Sequence, residues 1–434
     1  MQQPVSIFWF RRDLRLEDNH GLLRALSAGF PVIPLFIFDP EILGELPRTD
    51  ARVGFIHQQL QEMDRVLKQS GCAMQVRQGT PLEVFRDMLA EYEVKAVFTN
   101  RDYEPYARER DGEIESLLRH SGIPFHTFKD QVIFEMGEIS KEKGDPYVVY
   151  TPYMKKWKAV FRTAGPIQAF PSEDRLSGFF KGGEQGFPSL QEIGFTPSPL
   201  KVPAYNLSGT LVENYERTRN IPAVEGTSRL GPHLRFGTIS IRKALKKALE
   251  AKNETFWNEL IWREFFMQIL WHFPHTAREA FKKPYDRIAW RNREEDFELW
   301  KNGQTGYALV DAGMRQLNQT GYMHNRVRML TASFLCKHLL IDWRWGEAYF
   351  AEKLLDYEMS SNVGNWQWAA GSGVDAAPYF RIFNPITQAE KFDPRHQYIR
   401  QWVPEYGSPD YPPKMVEHTS ARNRCLETYK AALG

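Results

Sequence analysis

The chain is poor in cysteine. Among 434 residues there are three, Cys72, Cys336 and Cys425, odd in number and far apart. The count excludes a disulfide framework, and the spacing excludes a zinc pattern. A reducing compartment such as the cytoplasm fits. Long apolar runs are also missing. The opening MQQPVSIFWFRRD turns to charge too soon for a secretory signal. No window reaches the ~20 apolar residues of a membrane span. There is no GxGxxG and no Walker motif, which closes those two routes to a nucleotide phosphate. Internal repeats and low-complexity text are absent. Excess charge is small, 56 basic against 54 acidic residues, for a net +2.

That near-neutral total hides an asymmetry. Residues 1–195 carry 24 Lys+Arg and 28 Asp+Glu, a net −4, while residues 196–434 carry 32 and 26, a net +6. Aromatic residues make up 14%, and ten of the twelve tryptophans lie after residue 195. A mildly basic, Trp-rich half is compatible with nucleic acid on one face; solvated helices also carry such an excess. The length allows two domains, each with its own core.

Strand and helix patterns alternate through residues 1–130. Val5–Phe10, Val32–Phe38, Lys95–Asn100 and Pro124–Phe128 read as buried parallel strands, with Ala73–Val76 as an edge member. Amphipathic stretches at Val53–Gln69 and Pro81–Tyr92 lie between them. The pattern predicts a doubly wound α/β domain with a crevice at the carboxyl ends of its strands. Residues 131–205 read as a long connection with one helix near Tyr150–Arg162. Residues 206–434 are helical in period, at Ile239–Ala251, Thr255–Trp271, Tyr307–Gln316 and Asn325–Leu339, so the second domain should be all-α.

The segment NVGNWQWAAGSGVDAAPYFRIFNP (Asn362–Pro385) mixes aromatics, amides, one acid and one arginine among small residues. Gly364, Gly371 and Gly373 would let a large flat body approach the backbone. Such a mixture suits a planar ligand with polar edges. A helical junction with packed aromatics is the alternative. Glu259 and Trp262, three apart, share a helix face, as do Asn325 and Met329, four apart. Glu259 could equally be a capping acid, and Asn325 with Met329 core-edge packing. Together the four offer a carboxylate, an indole face, an amide and a thioether, a set that fits a flat pyrimidine pair. Thr227, Ser228, Arg229, Leu230 and Gly231 form a polar turn before a helix, which suits a diphosphate or a plain N-cap. Arg263, Arg326 and Arg381 are candidate phosphate contacts or surface arginines.

Five segments in order resemble the DNA photolyase and cryptochrome family. They are FWFRRDLRLEDN (Phe8–Asn19), EGTSRLGPHLRFGTIS (Glu225–Ser240), NELIWREFF (Asn258–Phe266), GYMHNRVRMLTASFL (Gly321–Leu335) and the Asn362–Pro385 stretch. The resemblance is greatest to class I photolyases for cyclobutane pyrimidine dimers. It implies FAD as cofactor, UV-damaged DNA as partner, no metal, no membrane, and a monomer. By the same resemblance Glu259, Asn325 and Met329 would act on the dimer, with Trp262 and Trp368 as aromatic walls and Gln388 as a further DNA contact. Tyr215 and the 227–231 turn would hold the FAD phosphates. Arg328 and Asp356 would lie beside the isoalloxazine ring, Glu358 at its polar edge and Asn362 opposite N5. Trp366, Trp343 and Trp290 match the electron-relay triad. Histidines typical of enzymes for (6-4) photoproducts are absent at Asn325 and Met329, and Trp262 and Met329 are often replaced in cryptochromes of the DASH type. The chain stops at Gly434 without a long tail, which disfavours a signalling role.

A second, light-harvesting chromophore is also implied. Folate-binding members carry an Asn-Glu pair where this chain has Tyr106 and Ala107. The wording of Asn100–Asp111 and Phe36–Leu43 is closer to members that bind deazaflavin or flavin, with Asp102 as a candidate contact.

Overall fold

The computed structural model describes residues 3–182 and 186–434. By packing, the chain forms two units. The first comprises Met1–Glu138, Phe161–Tyr205 and Leu230–Leu249, and the second Ile139–Val160, Asn206–Arg229 and Glu250–Gly434.

The first unit is built on a parallel sheet with strands β1 (Pro4–Phe10), β2 (Val32–Phe38), β3 (Gln75–Gln78), β4 (Glu93–Asn100) and β5 (Phe125–Phe128), in the order β3-β2-β1-β4-β5. Alternate side chains of β1 and β2 feed separate cores. Phe8, Phe10, Phe36 and Phe38 pack on one face. Val5, Ile7, Trp9, Leu35 and Ile37 pack on the other. Burial on both faces explains why these strands read as continuous apolar runs rather than alternating ones. Capped helices cross over between them. Asp50 accepts from Arg52 N at the start of Ala51–Lys68, and Thr80 with Glu83 forms a capping box on Pro81–Glu91.

One strand departs from expectation. β5 lies at the sheet edge opposite β3, with His126 exposed and its neighbours half-buried. Phe125 and Phe128 still pack against the cores on opposite faces of the sheet, so both faces are covered, but only in part.

Residues 230–249 complete the first unit from far along the chain. Leu14 N donates to Phe236 O at 3.0 Å, and Arg242 pairs with Asp18 at 3.0 Å and Asp130 at 2.8 Å. Gly237, at φ 67°, packs so closely that an added Cβ would lie 2.1 Å from Arg12 O. The helix expected at Ile239–Ala251 spans Ile241–Leu249 and belongs here.

The second unit is helical. Its main core includes Trp300, Met314, Val327, Phe334, Leu335, Trp343, Phe350, Trp366 and Tyr398. The helix expected over Asn325–Leu339 is α-helical only to Ser333. Phe334–Leu339 widens into a π-helical turn, and Leu340 at φ 52° ends it. Such turns collect at functional positions. The Asn362–Ala370 part of the aromatic segment continues a helix, Met359–Ala370, that Gly371 closes in a left-handed cap at φ 93°.

Candidate functional site

Three chain segments of the second unit meet around one cavity. The Asn325–Ser333 helix supplies Asn325, Arg328 and Met329. The loop after the Trp343–Lys353 helix supplies Asp356 and Glu358. The Met359–Ala370 helix supplies Asn362, Trp366 and Trp368. All eight were singled out by the sequence, and the fold brings them to one wall-lined space.

Arg328 holds Asp356 with two bonds, at 3.1 and 2.8 Å, and donates from Nε to Met323 O at 2.6 Å. This fork fixes both side chains at the cavity wall. Asn362 is fixed too. Its Nδ2 donates to Glu347 O at 3.1 Å and to Glu347 Oε1 at 2.9 Å. Its Oδ1 takes no hydrogen bond from a described residue. That oxygen can therefore accept from a ligand N–H. Burial pushes the Glu347 carboxyl up, against the opposing bond from Asn362.

Glu259 and Trp262 lie on the Thr255–His272 helix. Glu259 pairs with Arg219. Burial raises its pKa, and the Arg219 guanidinium opposes that. Trp262 is stacked on Tyr150 at 3.6 Å and 7°, and Tyr150 donates its hydroxyl to Asn258 O at 2.8 Å. Arg326 donates to Asn220 Oδ1 at 2.5 Å, touches Met329 Sδ at 3.6 Å, and lies 4.5 Å over the Phe392 ring. Arg219, Asn220, Tyr150 and Glu347 thus join the site without having been singled out. Two of them had a readable signal. Arg219 follows Tyr215 by one helical turn, and Glu347 follows Trp343 by one turn on the same helix face.

The remaining expected residues fall as follows. Tyr215 sits on the Gly209–Thr218 helix, edge-on to Phe256 at 5.1 Å. The Thr227 hydroxyl bonds Tyr322 OH at 3.0 Å, Ser228 O accepts from Asn206 N at 2.8 Å, and Arg229 turns the chain at φ 52°. Leu230 and Gly231 fall in the first unit, where Gly231 opens the five-residue helix Gly231–Arg235. Trp366 and Trp343 are buried in one core, with Trp290 partly buried against it. The nearest aromatic partners of Trp366 are Phe350 at 4.9 Å and Trp300 at 6.2 Å. Arg381 is exposed, and Gln388 is half-buried on the Pro385–Phe392 helix.

Two expectations need correction. Arg263 is not a surface cation. It pairs with Glu358 at 3.2 Å, both side chains nearly buried, which leaves little of its guanidinium for a phosphate backbone. The glycines expected to admit a flat ligand serve the protein's own packing. An added Cβ at Gly364 would lie 2.3 Å from the Phe266 ring, and one at Gly373 would lie 2.9 Å from Gln367.

The first unit gathers a cluster of polar side chains after β1 and β4, where the strand order reverses. Arg12 pairs with Asp102 at 3.0 Å, and Arg235 with Glu104 at 2.5 Å. Burial alone would push Asp102 up, but Arg12, Arg11, Arg235 and Arg110 hold it well below the usual carboxylate range. Tyr106 donates to Asp39 at 2.6 Å, and Ala107 is buried.

The cavity's donor set fits a flavin: an amide oxygen free to accept, a fixed guanidinium–carboxylate pair, and indole walls. Together with the doubly wound sheet, it defines the class of light-driven flavoproteins that includes photolyases and cryptochromes. Residues 256–408 match the family model for the FAD binding domain of DNA photolyase, and residues 6–173 match that for DNA photolyase. A deoxyribodipyrimidine photo-lyase of Synechococcus is 38% identical, over 93% of this chain and 88% of its own length. Among solved structures, a class III photolyase from Agrobacterium tumefaciens is 34% identical with a TM-score of 0.87, over 100% of this chain and 98% of that one. An archaeal photolyase from Sulfolobus tokodaii, solved with two FAD molecules, is 36% identical with a TM-score of 0.86, over 98% and 99%. The chain belongs to the DNA photolyase family. No helix among the described residues is long and apolar enough to cross a membrane.

Proposed function

We propose that this protein repairs cyclobutane pyrimidine dimers in DNA, using light and reduced FAD. The observation that carries this is the shared cavity. Asn325, Met329 and Trp368, a dimer-binding set, line the same space as Arg328, Asp356, Glu358 and Asn362, a flavin-binding set. Substrate and cofactor would then be in contact without a barrier between them.

Reduced FAD, when bound and excited by blue light, supplies an electron to the dimer and receives it back once the two cyclobutane C–C bonds have broken. The protein's own residues do the rest. Arg328 and Asp356 orient the flavin edge, and Asn362 offers an acceptor at N5 with its amide held by Glu347. Asn325 bonds an imide edge of the dimer, while Trp262 and Trp368 give it apolar walls. Glu259 stands where charge on a dimer carbonyl can be met by a hydrogen bond, and Arg219 sets how readily its carboxyl holds a proton. The dimer must leave the duplex to enter, and a damaged, poorly stacked pair costs less to extrude. Arg326 and Arg381 contact phosphates, and Trp343 with Trp290 passes electrons between Trp366 and solvent. The enzyme acts as a monomer in the cytoplasm. A second chromophore, flavin or deazaflavin and not folate, binds at the strand ends of the first unit. Tyr106, tied to Asp39, and Ala107 replace the amide and carboxylate a folate base would need.

The test is repair of UV-irradiated oligothymidine by the reduced protein, in blue light and in darkness, with a (6-4) photoproduct as the comparison substrate. Light-dependent loss of cyclobutane dimers is expected. Repair of the (6-4) product alone would refute the substrate, and repair of neither would favour a photoreceptor.

A further inference from the structure

Lys337 carries a charge into a place where the core offers it little. It lies in the π-helical turn Phe334–Leu339, 1% exposed, among residues that are all buried. Among the described residues no carboxylate pairs with it. The titratable groups whose charge bears on it are Cys425 on the C-terminal helix His418–Leu433, Cys336 and His338 beside it on its own turn, and, from the surface, Arg381. Both thiols are buried, and burial keeps them protonated, Cys425 being pushed up to about 12. The ammonium therefore has one acceptor. Nζ donates to the carbonyl oxygen of Arg381 at 3.0 Å.

That acceptor lies in an irregular stretch between the helices Met359–Ala370 and Pro385–Phe392. The stretch is anchored along its length: Lys282 N donates to Ser372 O at 2.8 Å, Val374 and Ala377 are buried, and Ile382 packs against the cluster of Leu340, Cys425 and Tyr429. The Tyr379 ring stacks on Tyr429 at 5.8 Å, Arg381 N donates to Pro378 O at 2.8 Å, and Asp375 accepts from Tyr150 N at 3.2 Å. Of the long-range anchors, the Lys337 bond is the one made at Arg381 itself. An isolated buried cation is costly, and such groups persist where they fix a geometry.

We propose that Lys337 is a positioning residue for damaged DNA: it pins the backbone of Arg381 from inside the fold, so that the exposed guanidinium points outward at a fixed place. This rests on the reading of Arg381 as a phosphate contact. Lys337 does not line the cavity that would hold flavin and substrate. It acts through the segment that carries Arg381.

The test uses the full FAD-loaded protein and three variants, Lys337→Met, Arg381→Ala and the double substitution. Affinity for a dimer-containing duplex is measured across a range of salt, alongside the flavin absorption spectrum and steady-state repair. Arg381→Ala should weaken binding several-fold and lower the slope of log affinity against log salt by about one. Lys337→Met should do the same, raising KM for dimer DNA more than it lowers kcat, with the flavin spectrum retained. The double variant should be no worse than Arg381→Ala, because both changes remove one contact. Wild-type affinity and slope in Lys337→Met, with Arg381→Ala impaired, would overturn the proposal and leave the functional reading standing. An unaffected Arg381→Ala would overturn the phosphate reading beneath it. Additive losses in the double variant, or loss of flavin from Lys337→Met, would show a general structural role and overturn the proposal as well.

Discussion

Replacing Lys337 by methionine is expected to stabilise the protein at neutral pH. Burial pushes the Lys337 ammonium down from 10.5 to about 8. Below about 8 both the folded and the unfolded chain hold the proton, and the folded state bears the full cost of a buried charge. Between about 8 and about 10.5 the unfolded chain still holds the proton and the folded one has lost it. Stability then rises with pH across that window, since the unfolded state binds more protons. The displacement from 10.5 to about 8 corresponds to about 3 kcal/mol at neutral pH. Against it, methionine leaves the Arg381 carbonyl without its donor, which costs about 1–2 kcal/mol. The net gain is about 1–2 kcal/mol, and methionine matches the lysine stem in shape. The assay is the thermal midpoint followed by tryptophan fluorescence at fixed FAD concentration, because ligand bound to the native state raises the midpoint by mass action. The variant should melt higher than the parent near pH 7. Its advantage should shrink, and then reverse, as pH rises through the window. A gap that does not change with pH would refute the reasoning, as would a variant that melts lower near pH 7.

Four further outcomes are expected. Trp366→Phe should slow photoreduction of the oxidised flavin sharply while repair by chemically reduced protein survives; unchanged photoreduction would point to a bypass, with Trp300 and Trp345 the aromatic alternatives nearby. Glu259→Gln should lower the quantum yield of repair at saturating substrate more than it lowers dimer binding, whereas equal losses would make Glu259 a binding residue only. Arg326→Ala should cost about one unit of salt slope; a weaker complex with the parent slope would place Arg326 at the base pocket instead. Asp356→Asn should leave the half-buried Arg328 without its counter-charge, costing about 1–3 kcal/mol, and be read as flavin lost on gel filtration; full flavin retention would remove the pair from the cofactor site.

Much of this was legible in the sequence because two periodicities are clean. The runs at Val5–Phe10 and Val32–Phe38 are apolar at nearly every position, which only a sheet covered on both faces tolerates. The helix pairs Glu259/Trp262 and Asn325/Met329 share faces by spacing alone. The edge position of β5 was not legible, since a short apolar run looks the same at an edge as in the middle. Nor was the π-helical turn, because Phe334–Leu339 keeps an ordinary helical pattern of apolar residues. Arg263 misled because an arginine beside Trp262 reads as a DNA contact, and its partner Glu358 lies far along the chain. The Gly364 reading failed for a similar reason: a glycine that admits a ligand and one that admits Phe266 look alike in one dimension.

The route of the chain has a consequence for how the protein is made. The first unit closes only when Leu230–Leu249 arrives, bringing Arg242 to Asp18 and Asp130 and laying Gly237 on Arg12. At translation rates of roughly 5–20 residues per second, the ribosome needs about 12–50 s to reach that point. Until then Asp130 has Arg15 but not Arg242, and Arg12 has Asp102 but not the Arg235 carbonyl. A chain cut short near residue 205 would keep every strand and still be unfinished. The unit should therefore resist expression as an isolated N-terminal fragment, and recover when residues 230–249 are supplied.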